Sequence, residues 1–264
     1  HSSPFITENT EYVVAGTRFS VPADDVNGDV PINTYKQNFK GHISFISVNK
    51  DNGNMSIAFQ LQCPGVNFDL SHAGKGKSHG WFFFSCYNTE QANTLLEVNA
   101  SQKDKDFIMA VNWKKAEEYV KAGKGKKVSV NYAHNTWDEK THTAKSEMIK
   151  EVLVLDTKEL ADICYMLPCP KSPHGCDVDP SGEYIVGSGK LAALIPVFSF
   201  DKLQKAITDK AFDGMYDGIP VIKYEAALHG EVKKPGLGPL HTEFDGKGNA
   251  YTTFFVSSEV VKWS

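Results

Sequence analysis

The chain has 264 residues, 41% of them hydrophobic and 23% charged, enough for one large domain or two ordinary ones. Lys and Arg total 28 against 32 Asp and Glu, a formal charge of −4, so the basic excess that a nucleic-acid partner requires is missing. The longest mainly apolar run, 191–200, is too short to span a bilayer and contains Pro196.

In chain order, β-branched and aromatic runs at 12–15, 43–48, 55–61, 81–84 and 107–111 predict short strands, separated by Gly, Asn, Asp and Lys. A helix is expected over 114–122, with Ala116, Tyr119 and Val120 on one face and Gly123 as its stop. Further strands are expected at 152–155, 195–200 and 252–256, and few other helices. The class is all-β. The five cysteines, Cys63, Cys86, Cys164, Cys169 and Cys176, are odd in number and lack zinc-ribbon spacing, so they read mainly as small buried apolar residues. The chain opens on His1, as a mature protein or a fragment would, and its compartment is not legible there.

Two repeats organise these strands. An apolar strand ending in Asn or Asp recurs at Val48-Asn49, Val111-Asn112, Leu155-Asp156 and Phe200-Asp201, with a looser copy at Trp263-Ser264. The intervals of 63, 44, 45 and 63 residues suggest four-stranded propeller blades, four to five of them in an open arc, rather than a sandwich. The second repeat is sharper. His174 precedes Asp179-Pro180-Ser181-Gly182 and the strand Tyr184-Ile185-Val186; His241 precedes Asp245-Gly246-Lys247-Gly248 and Tyr251-Thr252-Thr253. Each tyrosine follows its histidine by ten residues, and His1 leads a looser copy ending in Tyr12. One structural position in three blades would bring these histidines together at the inner ends of the blades, where imidazoles suit copper, zinc, iron or nickel. His42, His72, His79, His134, His142 and His229 lack the framework and read as surface or loop residues, His72 being the nearest to an exception.

The segments Pro170-Lys171-Ser172-Pro173-His174-Gly175 and Gly189-Lys190-Leu191 resemble one histidine blade of the nitrous oxide reductases. Gly236-Leu237-Gly238-Pro239-Leu240-His241-Thr242, followed by 244–253, resembles the next, and the ending Val260-Val261-Lys262-Trp263 and Cys86-Tyr87-Asn88-Thr89-Glu90-Gln91-Ala92 fit too. The resemblance implies that residues 1–264 are part of a seven-bladed β-propeller, without the cupredoxin domain that follows it in the family. It implies periplasmic denitrification chemistry: reduction of nitrous oxide to dinitrogen and water at a sulfide-bridged four-copper centre held by seven histidines. A homodimer fed by a small electron-donor protein is implied for the complete enzyme. His174 and His241 are then copper ligands, with His1 as a third. The family's upstream paired histidines are absent from this sequence, so the chain is expected not to build the centre alone. Calcium is implied at Tyr87, Glu90 and Asp106, whose oxygens suit a hard cation, while Ser172 stands where the family often has Asn. The alternative is a non-catalytic propeller scaffold binding a protein partner, which needs no converging histidines.

Overall fold

A computed structural model describes residues 5–22, 38–87, 105–160, 162–233 and 235–264. The chain begins with β1 (Phe5–Ile6), β2 (Tyr12–Gly16), β3 (Val21–Pro22), β4 (Phe39–Val48) and β5 (Met55–Pro64). Then come β6 (Asn67–Ala73), β7 (Trp81–Tyr87), β8 (Lys105–Asn112), helix α1 (Trp113–Lys121), β9 (Lys126–Asp138), β10 (Thr143–Asp156) and β11 (Cys164–Pro170). The remainder is β12 (Pro173–Val178), β13 (Tyr184–Gly189), β14 (Leu194–Ser199), α2 (Phe200–Thr208), β15 (Phe212–Tyr216), β16 (Ile219–Ile222), α3 (Tyr224–Ala227), β17 (Leu228–Lys233), β18 (Pro239–Phe244), β19 (Ala250–Phe254) and β20 (Glu259–Trp263).

These strands make four sheets, none closed on itself among the described residues. The first runs β1-β2-β4-β5-β10-β9 with β3 beside β4; the second runs β15-β16-β11-β8-β7-β6. The third is β12-β13-β14-β17 and the fourth β18-β19-β20. Pairing is antiparallel except where β10 joins β5 and β16 joins β11.

The core is laid down between consecutive sheets, and strand alternation explains how. Every residue of β7 is buried, as expected of a strand covered on both faces. Phe82 and Phe84 enter the layer shared with the first sheet, beside Val14, Ile43 and Phe59, whereas Phe83 enters the layer shared with the third, beside Ile185 and Phe198. A smaller layer of Val186, Ile195, Val197 and Phe254 joins the third sheet to the fourth. In the first layer Phe45 stacks on Phe59 at 4.6 Å, with Tyr12 edge-on to both at 5.7 Å. All five cysteines are buried and unpaired.

Helix α1 forms as expected: Asn112 accepts the amide of Lys115 at 3.0 Å, and Gly123 follows with φ +73°, a conformation glycine adopts without steric cost. Three expectations need correction. The strand expected over 195–200 stops at Ser199, whose hydroxyl accepts the Lys202 amide and starts α2, so Phe200-Asp201 is a helix start and not a strand end. The strand expected over 252–256 ends at Phe254. The sheets hold seven, six, four and three strands, so the intervals between apolar–Asn/Asp ends do not each enclose one uniform sheet. No described helix is long and apolar enough to cross a membrane.

Candidate metal centre

The strands β6, β12 and β18 each begin their sheet's run through the following hairpin, and each has the same irregularity. On β6 the register jumps between Phe68–Cys86 and Ser71–Phe84; on β12 between Pro173–Gly189 and Gly175–Ser188; on β18 between Pro239–Phe254 and Thr242–Thr252. Each jump puts one residue more on the edge strand than on its partner, which is a β-bulge and re-aims a side chain. The residues inside the jumps include Asp69, His174 and His241. The histidine repeat seen in the sequence therefore goes with a repeated backbone device, and the second sheet carries Asp69 within its own copy of that bulge, directly after the last paired residue, as His174 is in the third.

The bulges bring His174 and His241 together. Their ring centroids lie 5.0 Å apart, edge to face. Glycine permits the approach: a Cβ on Gly175 would come within 2.2 Å of the Leu240 carbonyl oxygen. His174 Nδ1 lies 2.7 Å from Asp69 Oδ2, within hydrogen-bond distance. Lys190 Nζ reaches the same oxygen at 3.0 Å, and Arg18 pairs with Oδ1. Burial alone would raise the Asp69 pKa, but the bond from His174 and the charges of Lys190 and Arg18 outweigh it and hold the carboxyl at about 2.

The fourth-sheet histidine is held more loosely. His241 Nδ1 lies 3.7 Å from Asp177 Oδ1, an ion-pair contact longer than a hydrogen bond, and its side chain is 47% exposed against 24% for His174. Asp177 Oδ2 instead accepts the amide of Thr242 at 2.7 Å, fixing the backbone beside the histidine. Asp177 raises the His241 pKa against the opposing effect of burial. His72 lies on β6 with Nδ1 bonded to the Ala73 carbonyl at 2.9 Å and Phe5 at 4.3 Å from its ring; burial lowers its pKa, and the Asp177 charge acts on it too. His1 lies outside the described residues.

Of the expected calcium residues, Glu90 also lies outside the described residues. Tyr87 and Asp106 stand one step beyond the Cys86–Phe107 pair, at the end of the β7–β8 ladder. Asp106 is fully buried and accepts the amide of Ser172 at 2.8 Å. The Ser172 hydroxyl is buried with no hydrogen-bond partner among the described residues, an oxygen that a hard cation beside Asp106 would satisfy. The Tyr87 ring serves the cations near Asp69, since Arg18 and Lys190 lie over it at 4.2 Å and 4.8 Å.

The donor set fits copper in kind. Two imidazoles meet, one with its second nitrogen bonded to a carboxylate, which is the usual support of a metal-bound histidine. It does not suffice in number: among the described residues no group of three or more His, Cys, Asp or Glu is arranged to hold a metal. A cleft of about 430 Å³ lined by Tyr184, Val197, His229, Phe244 and Trp263 opens elsewhere, between the third and fourth sheets.

No family model matches the chain. The nitrous-oxide reductase of Pseudomonas fluorescens is 31% identical over 263 residues, covering 97% of this chain, and that of Stutzerimonas stutzeri is 31% identical over 259. Along nearly its whole length the chain is similar to nitrous-oxide reductases. It spans about a third of the length of these relatives, 34% in each case. The nitrous-oxide reductase of Ralstonia nicotianae is 29% identical over the same share. Among solved structures, hydrazine synthase of Kuenenia stuttgartiensis aligns over 98% of this chain at 10% identity and a TM-score of 0.36, a likeness too low to argue fold.

Sequence reasoning within the family pattern named the two histidines but neither carboxylate behind them. Asp177 follows His174 by three residues, too common a spacing to stand out. Asp69 lies 105 residues from its histidine, with no local signal at all.

Proposed function

We propose that this chain is a propeller portion of a copper-dependent nitrous oxide reductase, whose histidines serve a sulfide-bridged four-copper centre in the complete enzyme. The carrying observation is the meeting of His174 and His241, from separate sheets, with ring centroids 5.0 Å apart. Four sheets, each packed on the next in chain order, fit consecutive blades of a seven-bladed propeller. His1 is proposed as a third ligand from a preceding blade. The complete enzyme would be a periplasmic homodimer with a C-terminal cupredoxin, supplied by a small electron-donor protein.

The reaction takes two electrons and two protons to convert nitrous oxide to dinitrogen and water. When bound, the copper centre supplies the site for an inert, poorly coordinating substrate and the route for its electrons. The chain's own contribution is positional. His174 and His241 offer ring nitrogens, Asp69 and Asp177 stand behind them, and Gly175 lets their strands meet. Calcium held by Tyr87, Glu90, Asp106 and Ser172 would tie the β7–β8 mouth to the β11–β12 turn and stabilise the fold by mass action. Calcium chelation that leaves the melting temperature unmoved, together with a silent Glu90→Gln, would remove that site.

In the full-length protein, His174→Ala and His241→Ala should each lose the copper cluster and the activity together while keeping the fold. His142→Ala, at the far end of the β9–β10 hairpin, should change neither. Full copper loading and normal turnover in His241→Ala would overturn the assignment. The 264-residue chain by itself should bind at most adventitious copper and should not reduce nitrous oxide.

A further inference from the structure

Asp69 occupies, in the second sheet, the bulge that carries His174 in the third and His241 in the fourth. A carboxylate at that place cannot add an imidazole to the set. It points instead to the neighbouring sheet and meets His174 Nδ1 at 2.7 Å. The carboxylate is itself fixed from other directions: Lys190 bonds the oxygen that His174 bonds, Arg18 pairs with the other, and both cations lie over the Tyr87 ring. Its side chain is 7% exposed, so water does not compete freely for these bonds.

We propose that Asp69 is a positioning residue that locks His174 as the Nδ1–H tautomer, so that Nε2 is the ring nitrogen left without a proton. An acceptor that carries no proton of its own can be met only by a ring N–H, so the contact selects the tautomer as well as the ring angle. The unconstrained imidazole favours the opposite tautomer, with the proton on Nε2. Without Asp69, Nε2 would therefore mostly carry a proton, and ligation through it would first require moving that proton to Nδ1. This rests on the copper reading for its purpose, but the tautomer itself is independent of any metal.

The test begins with the metal-free 264-residue chain, whose nine histidines can be labelled with nitrogen-15 and read by long-range proton–nitrogen correlation at alkaline pH. The His174 signal, assigned by its loss in His174→Gln, should show a protonated Nδ1 and a bare Nε2. Asp69→Leu should return it to the ordinary mixture, and Asp69→Asn, oriented to accept through its amide oxygen, should keep the Nδ1–H form. If Asp69→Leu does not fold, the wild-type signal decides alone. A His174 protonated on Nε2 in the wild type, or a tautomer unmoved by Asp69→Leu, overturns the proposal. In the full-length enzyme, Asp69→Leu should lower the copper bound per protomer and alter the visible spectrum of the cluster, and Asp69→Asn should restore much of both. A released tautomer with an unchanged copper complement would uphold the lock on His174 and overturn the role of His174 as a ligand, separating the two ideas.

Discussion

The junction between the second and third sheets and the junction between the third and fourth are built from the same repeat, yet they close differently. At the first, the two hairpin turns interlock: Lys77 donates its amide to the Ser181 carbonyl at 3.0 Å, and a Cβ on Gly182 would fall 1.6 Å from the Lys75 carbonyl oxygen. The preceding turn joins the same row, since the Gly76 amide donates to Glu8 at 3.0 Å. At the second junction the turns stand apart across the cleft lined by Asp179, Pro180, Asp245 and Asn249, and a Cβ on Gly248 would meet nothing within 4 Å. Beyond the apolar layer around Phe254, that junction is tightest at its histidine end, through Gly175 against Leu240 and Asp177 on Thr242. The two histidines follow suit. His174 is bonded and mostly covered, whereas His241 is half-exposed and held at 3.7 Å. A motif repeated in sequence thus sets where a histidine is aimed, and the neighbouring sheet sets how firmly it is held.

The largest difference should come from alanine at the two equivalent glycines. Gly182 has φ +73° and Gly248 φ +81°, so both substitutions carry the left-handed penalty of about 1 kcal/mol. Only Gly182→Ala also forces a methyl into a backbone carbonyl. It should cost about 3 kcal/mol or more in total and lower the melting temperature of the chain by roughly 8 °C. Equal losses in the two variants, measured by circular dichroism melts, would show that the second and third sheets do not depend on the interlocked turns.

Acid should come next, and should act more strongly at the tighter junction. The Asp69 pKa of about 2 in the folded chain lies below the value near 4 of an unfolded aspartate. Its contribution is therefore fully present above pH 4 and is lost as the pH falls from 4 through 2. For a group this buried it is on the order of 2 kcal/mol. Melts from pH 5 to pH 2.5 should show a steeper decline in the wild type than in Asp69→Asn. Parallel curves would mean that the cluster of Arg18, Lys190 and His174 adds no net pH-dependent stability.

What was legible in the sequence follows the same division. The strands of the core announced themselves because β-branched and aromatic residues alternate or run together where a sheet is covered on one face or two, as in Phe82-Phe83-Phe84. The long hairpin of β9 and β10 was not read beyond 152–155, although Val128, Val130 and Tyr132 alternate with polar residues, because most of its residues are polar and the alternation is short; its pairing from Lys126–Val154 to Asp138–Thr143 is carried by the backbone. Helix α2 was missed although Phe200, Leu203 and Ala206 lie on one buried face, because 195–200 reads as a continuous strand until the Ser199 cap is recognised. At the site, the histidines were legible through repetition and family resemblance. Asp69 was not, because its importance lies in a bulge and in a partner on another sheet, and neither leaves a local pattern.

The smallest effect should belong to the open junction, where the turn depends on its own charge. Asp245 accepts the amides of Lys247 at 2.8 Å and Asn249 at 3.0 Å, the Asn249 side chain at 2.8 Å and the Tyr251 hydroxyl at 3.2 Å. Those bonds favour the carboxylate, led by the Asn249 amide, and lower its pKa to about 2. As with Asp69, the stabilisation is present above pH 4 and disappears as the pH falls through 2, but here the group is only partly covered and water screens most of it. Asp245→Asn should therefore flatten the acid limb of the melting curve only slightly, less than Asp69→Asn does. If Asp245→Asn flattened it more, the acid-sensitive part of this fold would be the turn beside the cleft, and the contrast drawn between the two junctions would be reversed.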